Sequence, residues 1–171
     1  TYLHIGSTIV THRKNIGFLN RDVLNYRAQS VAPDIMSLWP PTEVAEGYNY
    51  EAINENFVIT DNERILRVYY VQPLAHATGM LMAYLPKEKI AFEANLFDTH
   101  EPAPAVPTPA MRSFFNQIQR MKLDVATIAP VHGTPVPYSD FVKAMGPEAK
   151  LCETVIAGGA IGMAPCPTGA R

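Results

Sequence analysis

Between residues 56 and 94 the chain passes through four short segments rich in β-branched and aromatic residues: 56–60, 65–71, 80–85 and 89–94. Each is strand-length rather than helix-length. Asp61-Asn62-Glu63 and Pro86-Lys87-Glu88-Lys89 separate two of the pairs. Tight polar turns of this kind join antiparallel neighbours, because parallel strands need a crossover of roughly a dozen residues or more. The middle of the chain is therefore read as an antiparallel meander, and the flanks must cover it. Upstream, Ser7-Thr-Ile-Val-Thr-His12 reads as a buried strand. From Lys14 to about Gln29, Ile16, Phe18, Leu19, Val23 and Leu24 fall at mixed three- and four-residue spacings, as on an amphipathic helix. Pro33, Pro40 and Pro41 then break the chain around Trp39.

Downstream, the proline-rich stretch 101–109 cannot form a ladder or a helix and is read as a surface loop. A helix is predicted over 110–122 with Phe114, Ile118 and Met121 on one face. A buried strand is predicted over 125–130. Ser139 is expected to cap a last helix carrying Phe141, Val142 and Met145. The order strand, helix, several strands, helix, strand, helix describes an α/β (α+β) layered domain with a mostly antiparallel sheet flanked by helices. Residues 1–150 form this domain. Residues 151–171 form a tail of small residues with no strong periodicity, to which no site is assigned.

Composition narrows the function classes. Hydrophobic residues make up 47% of the 171 and charged residues 18%, a balance suited to a packed domain. Fourteen Lys and Arg against sixteen Asp and Glu leave a net charge of −2, which argues against a phosphate-tracking surface, so no nucleic-acid partner is expected. No apolar run approaches the ~20 residues of a membrane span, so no membrane association is expected. Cys152 and Cys166 both lie near the end of the chain, give no disulfide framework, and are read as free thiols.

Two of the five histidines have a telling context. His76 follows the strand-like run 65–71 and precedes Ala77-Thr78-Gly79; His132 follows Ile128-Ala129-Pro130 and directly precedes Gly133. Histidines at strand ends beside a glycine stand at the mouth of a sheet, where a neutral imidazole suits zinc. The same position also serves for capping a turn or hydrogen-bonding a carbonyl. Tyr69, Tyr70 and Tyr84 sit among aliphatics and read as sheet packing, and no nucleophile elbow or phosphate-cradling loop is present.

The segments 76–97 (His-Ala-Thr-Gly-Met-Leu-Met-Ala-Tyr-Leu-Pro-Lys-Glu-Lys-Ile-Ala-Phe-Glu-Ala-Asn-Leu-Phe) and 123–137 (Leu-Asp-Val-Ala-Thr-Ile-Ala-Pro-Val-His-Gly-Thr-Pro-Val-Pro) resemble the second half of a metallo-β-lactamase-fold hydrolase. The resemblance extends over roughly residues 5 to 146, including the proline-rich loop and the helix after it. It implies an αββα sandwich of two sheets between helices, with the site at the sheet edges and zinc as the metal. His76 matches the ligand histidine before a short glycine turn, and His132 matches the family's last histidine. His12 matches a strand end near the site and is read as structural.

Two departures define the expectation for this chain. The family's His-x-His-x-Asp-His motif is absent, and neither His4 nor His12 has the spacing to replace it, so the resemblance starts just beyond that motif, as in the C-terminal part of a longer fold. The position of the metal-bridging aspartate is occupied by Asn95, whose neutral carbonyl cannot balance cationic charge as a carboxylate does. Asp98 and His100 lie a few residues on and read either as loop residues or as substitutes. Two histidines are too few for tight zinc binding, so the chain alone is expected to hold zinc weakly or not at all. Two functions follow: a truncated or degenerate zinc-hydrolase scaffold for small-molecule esters, lactones, thioesters or β-lactams, or a non-catalytic binding or assembly protein on the same scaffold. A half fold leaves an apolar sheet face uncovered, so a homodimer or higher oligomer is expected.

Overall fold

A computed structural model describes residues 7–24, 49–74, 77–100, 102–149, 151–155 and 161–165. Two strands, β1 (Ile9–His12) and β2 (Tyr50–Ile53), pair in parallel with Val10 opposite Glu51. Between them the chain leaves β1 through a 3-10 turn (Arg13–Asn15), a single α turn, α1 (Ile16–Phe18), and a π turn (Leu19–Leu24). The expected regular helix is thus replaced by three different turns. Within its apolar stripe Phe18 is 56% exposed while Ile16 and Leu19 are half-buried, and the Asn15 amide is drawn to the Thr11 hydroxyl and the Gly79 carbonyl.

The meander forms as expected. Strands β3 (Asn56–Thr60), β4 (Ile65–Tyr70), β5 (Leu81–Leu85) and β6 (Ile90–Glu93) are antiparallel neighbours, with Val68 opposite Phe57 and Ala83, and Ala83 opposite Phe92. The sheet then continues in parallel to β7 (Thr127–Pro130), and a two-residue strand, β8 (Val136–Pro137), closes the order β3-β4-β5-β6-β7-β8. The crossover from β6 to β7 carries the long helix α2 (Pro109–Arg120). Thr108 caps it by accepting the Met111 N–H at 3.2 Å, and Pro109 takes the first turn, where its missing N–H costs nothing. Met111, Phe114, Phe115 and Ile118, at helical spacing, are buried on the sheet, and Lys122 in left-handed conformation ends the helix.

The last helix, α3 (Tyr138–Met145), is not capped by Ser139. It starts two residues earlier, behind Pro137, so Ser139 lies inside its first turn, and the Tyr138 N–H is satisfied by the Ala126 carbonyl at 2.8 Å. Arg112 on α2 and Glu148 beyond α3 form a two-point ion pair, and the guanidinium holds the Glu148 carboxyl below its ordinary range. The stretch expected to be irregular contains an antiparallel pair, β9 (Leu151–Val155) and β10 (Ile161–Pro165), with Met163 opposite Glu153. The side chain of Cys152 and the whole of Cys166 lie outside the described residues.

The period-two alternation of strands assigns the two faces of the main sheet. Tyr69, Met82, Tyr84, Ala91 and Ile128 point to one side, where α2 and α3 cover them around Phe141. On the other side the small β1–β2 sheet covers one end, with the His12 ring stacked on Tyr70 at 4.1 Å between centroids. The other end carries an apolar groove of about 480 Å³ lined chiefly by Ile59, Leu66, Ala83, Leu85 and Phe92. No helix among the described residues is long and apolar enough to cross a membrane.

Candidate functional site

Parallel pairing of β6 with β7 sets Glu93 opposite Pro130, so the two strands end side by side and their following loops leave the same edge of the sheet. Such carboxyl edges are where layered α/β sheets gather functional side chains. The Val131 N–H donates to the Glu93 carbonyl at 2.9 Å, extending the ladder one step past the strands. Beyond it, Asn95, Phe97, Asp98 and His132 line one cavity of about 140 Å³. Two candidates from the first loop, Asn95 and Asp98, are thus brought to the same cavity as His132 from the second.

The loops are tied by short-range geometry. Thr99 Oγ1 donates to the Thr134 carbonyl and accepts the Thr134 N–H, both at 2.9 Å. Gly133, at φ +109°, lies so close that a Cβ there would meet Thr99 Oγ1 at 2.0 Å, and this close approach is why glycine follows His132. Asn95 sits at φ +58°, a left-handed conformation that asparagine tolerates better than most residues. Asp98 Oδ1 accepts the His100 N–H at 2.8 Å, so one carboxylate oxygen already serves the loop. His100 itself is exposed and does not line the cavity.

His76 and His4 lie outside the described residues. Tyr70 and Leu81, the paired ends of β4 and β5, stand at the same sheet edge as the 94–98 loop. His12 is structural as expected: it is buried, with Nε2 3.0 Å from the Asn54 carbonyl and Nδ1 accepting the Lys14 N–H at 3.2 Å. Near it Thr11, Asn15 and residues 77–81 enclose a second cavity of about 320 Å³.

One chemically important residue is not evident from motif spacing. Glu93 is 2% exposed, directly behind the 94–98 loop. Its Oε2 accepts the Leu96 N–H at 2.7 Å. Burial pushes its carboxyl above the ordinary range, opposed by the Leu96 and Phe97 N–H groups; the Asp98 charge pushes the same way as burial, and His132 the opposite way. The signal for Glu93 in the sequence is period two: it shares the inward register of Ala91 on a buried strand, where a carboxylate is out of place.

Zinc at a catalytic centre takes three protein ligands and a water. The cavity supplies the His132 imidazole, the Asp98 carboxylate and, from Asn95, a neutral amide oxygen. Among the described residues no three His, Cys, Asp or Glu side chains come close enough together to hold a metal ion. The described donors therefore do not complete a zinc site.

No protein-family model and no curated protein sequence matches the chain. Solved structures do match. A metallo-β-lactamase from Pontibacter korlensis superposes with a TM-score of 0.54 at 15% identity, covering 84% of this chain and 59% of that protein. An archaeal metallo-β-lactamase superfamily protein from Sulfolobus tokodaii gives 0.55 at 14% identity, covering 94% of this chain and 66% of that one. A metal-soaked flavodiiron core from Synechocystis gives 0.52 at 15%, over 82% of this chain and 37% of that one. The chain thus spans less than two thirds of the length of each, and at these identities the likeness is one of fold. The six-stranded sheet with its helices, and the resemblance already visible around His76 and His132, converge: this chain has the metallo-β-lactamase fold.

Proposed function

We propose that the chain is a metallo-β-lactamase-type hydrolase scaffold with an incomplete metal centre, one that holds zinc weakly by itself and has little or no hydrolase activity. The supporting observation is the cavity where Asn95, Asp98 and His132 meet; by the resemblance, its amide stands at the position of the family's bridging carboxylate. A neutral oxygen gives up the charge–charge attraction that holds a dication, and Asp98 has one oxygen committed to the His100 N–H. The substrates of a complete centre on this scaffold are small molecules with an ester, lactone, thioester or β-lactam carbonyl.

Asn95→Asp tests this reading. Both residues accept a left-handed backbone, so the exchange changes charge and leaves the turn alone. In equilibrium dialysis against buffered zinc, the variant is expected to bind at least tenfold more tightly than the unmodified chain, equivalent to about 1.4 kcal/mol. Unchanged uptake would mean that the cavity is not the remnant of a metal centre.

A further inference from the structure

We infer that Glu93 is a positioning residue for this site: its carboxylate sets the 94–98 loop so that Asn95 and Asp98 face the cavity. The inference rests on the reading of that loop as part of the metal-centre remnant. The loop has a divided character. Leu96 is 1% exposed and Phe97 7%, both in the core, whereas Asn95 and Asp98 are exposed. To alternate in this way the backbone must turn left-handed at Asn95, and it turns the Leu96 N–H inward, where a buried donor needs an acceptor. Glu93 Oε2, at 2.7 Å, is the acceptor.

An alanine or leucine at position 93 would fill the inward register of β6 as Ala91 does, but it would leave that N–H orphaned. Oε1 of the same carboxylate has no hydrogen-bond partner among the described residues. A buried carboxylate with a vacant oxygen is a poor way to stabilise a core. Its presence is accounted for by the loop N–H that Oε2 accepts from Leu96. The requirement is for an acceptor at this point and not for a charge, and this separates positioning from packing.

Three variants test it: Glu93→Gln keeps the acceptor, Glu93→Leu keeps the packing without it, and Glu93→Ala keeps neither. Amide hydrogen exchange reads the loop without any metal. Leu96 is expected to exchange at least tenfold faster in Glu93→Leu and Glu93→Ala, and within about twofold of the unmodified chain in Glu93→Gln, while the Ile128 amide in β7 is unchanged in Glu93→Leu. The second readout is zinc binding in the Asn95→Asp background, where the tenfold gain should survive Glu93→Gln and vanish in Glu93→Leu. Equal Leu96 exchange in the Leu and Gln variants would overturn the proposal, as would loss of zinc binding in Glu93→Gln. Failure of Asn95→Asp to gain zinc with Glu93 intact overturns the metal-centre reading instead, and the exchange data still decide the role of Glu93.

Discussion

Phe141→Ala is expected to destabilise the domain by roughly 3–5 kcal/mol, the largest effect of any single truncation in this core. The ring is fully buried, with neighbouring ring centroids at 4.9 Å for Phe97, 5.3 Å for Phe114, 6.1 Å for Tyr138 and 6.2 Å for Phe115. Through aromatic rings it touches α2, its own helix α3 and the 94–98 loop. Removing it leaves a cavity bounded by aromatic rings held on three separate elements, which cannot all collapse inward. At about 2–4 °C per kcal/mol for a chain of this size, the melting midpoint should fall by roughly 6–20 °C. Because Phe97 also lines the site cavity, the loss should loosen the 94–98 loop. Denaturant unfolding of the two proteins measures it, and a cost under about 1 kcal/mol would show that the packing around α3 is wrong.

Gly133→Ala is the second large effect, and it acts on the site directly. A Cβ at φ +109° is strained in its own backbone, at about 1–3 kcal/mol, and it would stand 2.0 Å from Thr99 Oγ1. Relief requires Thr99 to move, which breaks its paired hydrogen bonds to Thr134, each worth about 0.5–1.5 kcal/mol net. The expected cost is therefore about 2–6 kcal/mol. His132, one residue away, should shift with it. The clash gives a specific signature: with Thr99→Ala already in place the glycine substitution should cost less, because the obstructing hydroxyl and its bonds are gone. Strictly additive costs in the double-mutant cycle would contradict the close approach of the two loops.

These two positions show how unevenly the fold is written in the chain. The meander is legible because strand-length runs of Val, Ile and Tyr, separated by polar turns such as Asp61-Asn62-Glu63, leave few other arrangements. The helix α2 is legible from Phe114 and Ile118 at helical spacing after a proline loop. Strands of two to four residues, β8 and β2, carry too few positions to show a period. The 14–29 stretch has helical spacing, but in its described part Ile16 and Leu19 are only half-buried and Phe18 is exposed, so packing does not hold it as one regular helix. Ser139 has the chemistry of a cap, yet the Ala126 carbonyl reaches the helix start first. These outcomes were decided by tertiary contacts.

The site was legible in the same partial way. His132 and Asn95 stand out through the family resemblance, but their meeting in one cavity depends on β6 and β7 being parallel, a relation between strands separated by a loop and a helix. Asp98 joins them and His100 does not, a difference set by the turn in which Asp98 accepts the His100 N–H. Glu93 was hidden because it belongs to no motif, and its importance comes from a loop N–H three residues on.

Whether the metal centre on this metallo-β-lactamase fold is incomplete is decided by the zinc content of the purified chain. The protein should be loaded with excess zinc, dialysed against metal-free buffer, and assayed for zinc by elemental analysis alongside protein concentration. Well under one zinc per chain should remain after dialysis. One or two zinc ions retained per chain would contradict it, and would mean that His132 and Asp98 belong to a complete ligand set.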